Sequence, residues 1–194
     1  MTDSRHAKAP SAMRILGIPG SLRAGSYNRA LLRAAIDLAP EGMEVEIFEG
    51  LGEVPPFNQD VEEKGVPQPV SRLKQAMASA DVLLISTPEY NYSIPGVLKN
   101  ALDWASRPPK DSPLAGKPVG LMGASGGGSG TMRSQLALRQ VFVFTGCLVL
   151  PKPEVYVTRA PEKFVDGRLE DERTREHLAR FLESLGAWVR RLSS

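Results

Sequence analysis

Val82-Leu83-Leu84-Ile85-Ser86-Thr87-Pro88-Glu89-Tyr90-Asn91-Tyr92-Ser93-Ile94-Pro95-Gly96 joins an apolar run to a turn holding two tyrosines, a carboxylate, an amide, two prolines and a glycine. Residues 81–86 are nearly all apolar without alternation, which predicts a strand covered on both faces of a parallel sheet. Pro95 can open a helix, since its missing N–H is unneeded in a first turn. Val97, Leu98, Ala101, Leu102 and Trp104 then recur at helical spacing until Pro108-Pro109 stops them. A turn that only redirects the chain needs no aromatic rings. Two rings on a proline-stiffened loop suit a flat, conjugated ligand with a polar edge. The plainer reading makes Tyr90 and Tyr92 caps on the core and Glu89 a solvated charge.

The same alternation of strand and helix extends outward. Residues 14–19 read as a first strand ending at Gly20, and 28–39 as a helix with Leu31, Leu32, Ala35, Ile36 and Ala39 on one side. Ser26 or Asn28 can cap it, and Pro40 with Gly42 ends it. Residues 44–48 alternate as a second strand. A Pro- and Gly-rich connection over 50–69 is long enough to be functional or interfacial. Val70, Leu73, Met77 and Ala80 mark the next helix, 118–123 a fourth strand, 131–144 a helix and 147–150 a fifth strand. A final helix near 171–192 carries Leu178, Phe181, Leu182, Leu185, Val189 and Leu192. Five such units with short connections predict an α/β, doubly wound parallel sheet with helices on both faces. Ligands in such sheets lie at the carboxyl ends of the strands near the switch in strand order. The turns after the first, third and fourth strands therefore hold the chemistry.

Bulk composition narrows the classes. The 194 residues fit a single domain, placed at 13–194, behind a polar stretch over 1–12 predicted to be a disordered tail. That stretch has Arg5 and Lys8 but no apolar segment of the secretory kind, so a cytoplasmic protein is expected. A net charge of +2 without a basic block argues against a nucleic-acid surface. No apolar run approaches the ~20 residues that a membrane span needs. Cys147 is the single cysteine, so a disulfide framework and multi-cysteine zinc sites are excluded, and its apolar neighbours predict a buried, inert thiol.

The first turn, Gly20-Ser21-Leu22-Arg23-Ala24-Gly25-Ser26-Tyr27-Asn28, offers hydroxyls, an amide, an arginine and the N–H groups of a helix start. Those are the donors a phosphate uses. Its Gly20-x4-Gly25 spacing resembles a P-loop, but Ser26 stands where the lysine belongs, which argues against nucleotide hydrolysis. A glycine turn with a serine cap is the bland alternative. The turn after the fourth strand, Gly123-Ala124-Ser125-Gly126-Gly127-Gly128-Ser129-Gly130, contains the G-x-S-x-G of a hydrolase nucleophile elbow. A triad also needs a histidine. The chain has His6, in the tail, and His177, beside Glu176 and Arg175 in the last helix. A backbone platform for a planar ligand suits those glycines better.

Gly20-Ser21-Leu22-Arg23 with Ser26 and Asn28, then Pro88–Gly96, then Leu98-Lys99-Asn100-Ala101-Leu102-Asp103-Trp104 resemble the NADPH-dependent FMN reductase family, and within it the bacterial chromate and quinone reductases. The resemblance implies a flavodoxin-like five-stranded sheet in the order 2-1-3-4-5. It implies that Ser21, Arg23, Ser26 and Asn28 hold the FMN phosphate, and that Pro88, Glu89, Tyr90, Asn91 and Tyr92 line the ribityl chain and the ring. Ser125, Gly126 and Gly127 would meet the ring's pyrimidine edge. In Gly130-Thr131-Met132-Arg133 a single glycine stands where the family often has a pair.

The implied activity is hydride transfer from NAD(P)H to bound FMN, then two-electron reduction of a quinone-like acceptor, with chromate, an azo compound or free flavin as further acceptors. No side chain is then an obligatory acid, base or nucleophile. A flavodoxin-type electron carrier is the alternative, against which the slightly basic charge argues, and a serine hydrolase using Ser125 is a weaker one. By the same resemblance Lys99, Asp103, Trp104 and Arg107, with the 50–69 connection, would pack against another subunit in a homodimer or homotetramer. Asp103 and Arg107 could instead pair along the helix.

Overall fold

In the computed structural model, residues 12–192 are described, and the predicted tail, apart from Ala12, lies outside them. Strands β1 (Met13–Pro19), β2 (Met43–Ile47), β3 (Val82–Ser86), β4 (Pro118–Ala124) and β5 (Leu148–Val149) form a parallel sheet in the order β2-β1-β3-β4-β5. The central run is buried as its sequence demands: Val82, Leu83, Leu84 and Ile85 expose nothing. Each such side chain stabilises the fold by about 1.5–3 kcal/mol.

One position of the sheet is built differently from expectation. Next to β4 lie two short strands, β5 on its first half and β6 (Val155–Val157) on its second, in the registers Val119↔Val149 and Ala124↔Val157. Pro151 and Pro153 stand between them, and a residue without an N–H cannot donate to a ladder. The chain therefore leaves β4 and returns. A hairpin of β7 (Phe164–Val165) and β8 (Arg168–Leu169) follows, also unforeseen, turning at Asp166 and Gly167 with φ of 47° and 76°.

Helices α1 (Tyr27–Asp37) and α6 (Glu172–Leu192) cover one face, and α3 (Gln68–Ser79), α4 (Gly96–Ala105) and α5 (Met132–Thr145) the other. The division follows the pleat: Leu84 joins the first core, Leu83 and Ile85 the second. Of the two candidate caps for α1, Ser26 is the one used, accepting from the Arg29 N–H at 3.3 Å.

The 50–69 connection is ordered by a 3₁₀ turn at Leu51–Glu53 and the short helix α2 (Gln59–Lys64). It also covers Trp104, whose indole N–H donates to the Pro55 carbonyl at 2.8 Å and whose ring meets Phe57 edge-on at 4.9 Å. Trp104 is 1% exposed and thus has no face to offer another subunit. Nor do Asp103 and Arg107 pair. α4 ends at Ala105, so Asp103 takes Lys99 at 2.6 Å, while Arg107 turns to Glu62 at 3.3 Å. Cys147 is buried with its thiol on the Leu114 carbonyl, and burial pushes its pKa up, in keeping with an inert thiol. No helix among the described residues is long and apolar enough to cross a membrane.

Candidate functional site

The turns after β1, β3 and β4 meet at the carboxyl edge of the sheet around a cavity of about 270 Å³. Ser21, Arg23, Ser26 and Asn28 line it from the first turn, Pro88, Glu89 and Tyr90 from the second, and Ser125 and Gly126 from the third. Tyr27 and Ala124, which the sequence reading passed over, complete the wall. Asn91, Tyr92 and Gly127 lie outside it. Larger hollows run beside β2 and between α1 and β8, away from this edge.

The first turn is a donor cradle. Ser21 and Ser26 are buried to 4% and 6% exposure. Ser26 Oγ accepts from Arg29, which leaves its O–H to donate into the cavity. The N–H groups of Tyr27 and Asn28 open α1 and have no carbonyl one turn back. Arg23 folds over the turn onto the Gly25 carbonyl at 3.1 Å. Hydroxyls, free N–H groups, a helix start and a guanidinium are what an anionic phosphate requires.

Asn28 has a different occupation. Its amide donates to the Ala124 carbonyl at 2.9 Å, and its Oδ1 accepts from the Ala124 N–H at 2.9 Å and the Ser86 hydroxyl at 3.1 Å. Both ends of the carboxamide are thereby engaged in locking the start of α1 to the ends of β3 and β4. What Asn28 presents to the cavity is its backbone N–H.

In the second turn Tyr90 and Ser93 exchange both backbone hydrogen bonds, at 3.2 and 3.0 Å, around Asn91 and Tyr92 with φ of 49° and 65°. That is a two-residue hairpin with both central residues left-handed. Asparagine tolerates this conformation; tyrosine there is strained. The Tyr90 hydroxyl reaches Ser21 Oγ at 3.2 Å, whereas the Tyr92 ring is 72% exposed beneath the Arg133 guanidinium, 3.9 Å from its centroid.

Glu89 lines the cavity, but its carboxylate is engaged by the start of α5. Its carboxylate accepts from the backbone N–H of Arg133 at 2.9 Å and of Ser134 at 3.4 Å, and from the Arg133 guanidinium at 2.5 Å. It caps α5, whose own N-cap residue, Thr131, supplies no side-chain bond. Burial pushes the Glu89 carboxyl up, but the Arg133 side chain and the two backbone N–H groups outweigh it and hold the pKa below its usual value. Thr87 adds a second tie to α5 through Ser134 Oγ at 2.9 Å. The part played by Arg133 was not visible in the sequence, because nothing local marks an arginine as the partner of a glutamate 44 residues away.

The third turn separates two kinds of glycine. A Cβ on Gly123 would collide with Thr131 Oγ1 and the Thr87 carbonyl, so packing alone requires that glycine. Gly127 and Gly128 have no left-handed φ, and a Cβ on either would meet nothing within 4 Å. The fold does not ask for glycine there; a ligand lying against the backbone would. Ser125 Oγ has only the Gly127 carbonyl, at 3.5 Å, and His177 Nε2 is held on the Glu154 carbonyl at 2.7 Å. Among the described residues Ser125 has no catalytic base, so the elbow motif here is the shape of a packing glycine. His6 lies outside them.

A parallel α/β fold with a phosphate cradle, an aromatic hairpin and an open glycine platform on one edge defines a protein built to bind a planar phosphorylated cofactor. The model of the NADPH-dependent FMN reductase family matches residues 13–162, and the chain belongs to that family. It is 50% identical to an NAD(P)H-dependent FMN reductase of Pseudomonas aeruginosa, over 93% of this chain and 97% of that one. It is 41% identical to a 2-hydroxy-1,4-benzoquinone reductase of a Burkholderia species, over 92% and 97%. Among solved structures, the flavoenzyme NAD(P)H:(acceptor) oxidoreductase FerB of Paracoccus denitrificans superposes with a TM-score of 0.85 at 32% identity, covering 93% of this chain and 98% of that one. The protein is an oxidoreductase that works with FMN and NAD(P)H.

Proposed function

We propose that this enzyme reduces a quinone by two electrons at the expense of NAD(P)H, with FMN held at the carboxyl edge of the sheet. The observation that carries the placement is the cavity in which the donors of the first turn meet Pro88, Tyr90, Ser125 and Gly126; Gly127 and Gly128, beyond its lining, are required by neither packing nor backbone geometry and extend the platform. Ser21, Ser26, Arg23 and the first N–H groups of α1 hold the phosphate; Pro88 and Tyr90 bound the ring, and Ser125, Gly126 and Gly127 meet its polar edge. Glu89 acts one step back, by fixing the hairpin against α5, and Asn91 and Tyr92 form the hairpin's exposed turn. FMN, when bound, supplies the two-electron transfer between donor and acceptor. The chain orients it and leaves room for the exchanging partners; no side chain has to move a proton. A benzoquinone is the favoured acceptor because a 41% identical relative is named for one.

The decisive experiment compares Gly127→Ala with wild type. An added methyl costs about 1–3 kcal/mol where a ligand fills the space, so FMN affinity falls about tenfold or more while the urea midpoint is unchanged. Unaltered FMN affinity would reject this placement. Failure of the wild type to oxidise either nicotinamide with benzoquinone would reject the activity.

A homo-oligomer is also proposed, supported by the outward side of α5, where Leu136, Val143 and Phe144 are 50%, 83% and 90% exposed. Such a row of apolar side chains is more than a monomer usually leaves wet. Light scattering should give a particle of two or four chains; a 21.0 kDa particle would overturn it. A cytoplasmic setting fits the same reading.

A further inference from the structure

On the same edge of the sheet, a hollow of about 440 Å³ opens between the end of β6, the turn after it and the first turns of α6. Arg159, Lys163, Arg173, Arg180 and His177 line it, against a single carboxylate, Asp171. That carboxylate is turned onto Thr174, whose N–H it accepts at 3.0 Å. Glu162 and Glu176 stand at the rim, each 3.7 Å from an arginine, Arg159 and Arg180 respectively, in exposed pairs. Exposed pairs at that separation neutralise little. Lys163 and Arg173 also act on Asp171 through their charge, yet four permanent cations lining the hollow outnumber the one carboxylate that lines it.

The hollow's backbone is bonded directly to the glycine turn after β4. The Arg159 N–H donates to the Gly127 carbonyl at 3.1 Å, and the Ala160 N–H to the Ser125 carbonyl at 2.9 Å. β6 is the direct neighbour of β4, a spacing of about 4.8 Å. Arg159 is held there at φ 48°, a strained setting for a residue with a side chain. A nicotinamide dinucleotide whose reactive end lies over the flavin must rest its adenosine end on nearby surface. The 2′-phosphate of NADPH is a dianion that arginine and lysine recognise by charge-assisted hydrogen bonds.

We propose that this hollow binds a phosphate monoester, the 2′-phosphate of NADPH, and so sets the preference for NADPH over NADH. The proposal rests on the flavin placement given above. Its test is calorimetric titration of the FMN-loaded enzyme with adenosine 2′,5′-bisphosphate, in wild type, in Arg173→Glu, and in Lys163→Ala combined with Arg173→Ala. Wild type should bind it, and each lost cation should weaken binding about tenfold. The ratio of kcat/KM for NADPH to that for NADH should fall in parallel, through KM.

Binding or a ratio that these substitutions do not move overturns the proposal, while quinone reduction driven by NADH in the same preparations leaves the enzyme's activity standing. Inorganic phosphate competing as well as the bisphosphate assigns the hollow to free anions and overturns it too. A wild type that oxidises neither nicotinamide removes the activity and the proposal together.

Discussion

The turn after β1 and the hairpin after β3 face each other across one cavity and are held in opposite ways. The first exposes Leu22–Gly25 at its tip but buries Ser21, Ser26 and Asn28, and it is tied into the sheet by Asn28, which bonds Ser86 and Ala124 at 2.9–3.1 Å. The second is exposed, carries two left-handed residues and is fastened mainly by Glu89 to the start of α5. The first turn is therefore part of the fold, and the hairpin is an attachment to it; under the proposed placement of FMN, the first serves the phosphate and the second the ring. A constant anion can be served by a rigid cradle, whereas exchanging donors and acceptors need a wall that stands partly in water.

The largest effect expected from this contrast is at Asn28. Asn28→Ala would leave the Ala124 N–H and carbonyl and the Ser86 hydroxyl without partners in the interior. Each buried unpaired group costs about 1–3 kcal/mol. A total loss of about 3 kcal/mol is expected, read as a lower urea midpoint at unchanged slope. A loss under about 1 kcal/mol would mean that water replaces the carboxamide, and the first turn would be no more integral than the second.

Glu89 sharpens the other side of the comparison. Its folded pKa lies below the 4.5 of a free glutamate, so its stabilising bonds are fully present above pH 4.5 and are lost as pH falls through the folded value. Glu89→Gln keeps the shape and removes the charge. It should cost about 1–2 kcal/mol at pH 7, and the gap from wild type should close on acidification below pH 4.5. A gap constant with pH would show that shape, not charge, fastens the hairpin.

Most of this architecture could be read from the chain because its signals are local. Val82–Ser86 is uninterrupted apolar sequence, Ser26 precedes a helical pattern, and both signals hold in the structure. The split of the sheet's last position was also written locally, in Pro151 and Pro153, but a proline pair says that pairing stops, not that it resumes on the same neighbour. The β7–β8 hairpin turns on Asp166-Gly167, a strong turn pair whose flanking strands are too short to show alternation. The site was legible as three turns and illegible in its wiring. Asn28 looked like a ligand because its partners, Ser86 and Ala124, lie 58 and 96 residues away. Glu89 does line the cavity, but its hold on α5 could not be read, because the helix it caps begins beyond the next strand.

The smallest effect, and the most informative about the hairpin, concerns Tyr92. A bulky residue at φ 65° carries roughly 1–2 kcal/mol of backbone cost that glycine does not. Tyr92→Gly relieves it. The same change removes the stacking of Arg133 on the ring, worth about 0.5–1 kcal/mol at an exposed site, and gives the unfolded chain more freedom, worth about 0.4–1 kcal/mol. These contributions offset, so the urea midpoint should move by no more than about 0.5 kcal/mol. KM for benzoquinone should still rise, because the substitution loosens the turn of the hairpin whose Tyr90 lines the cavity. If Tyr92→Gly instead destabilised the protein as much as Glu89→Gln, the ring under Arg133 would be a second fastening of the hairpin to α5, and the hairpin would be held as firmly as the first turn.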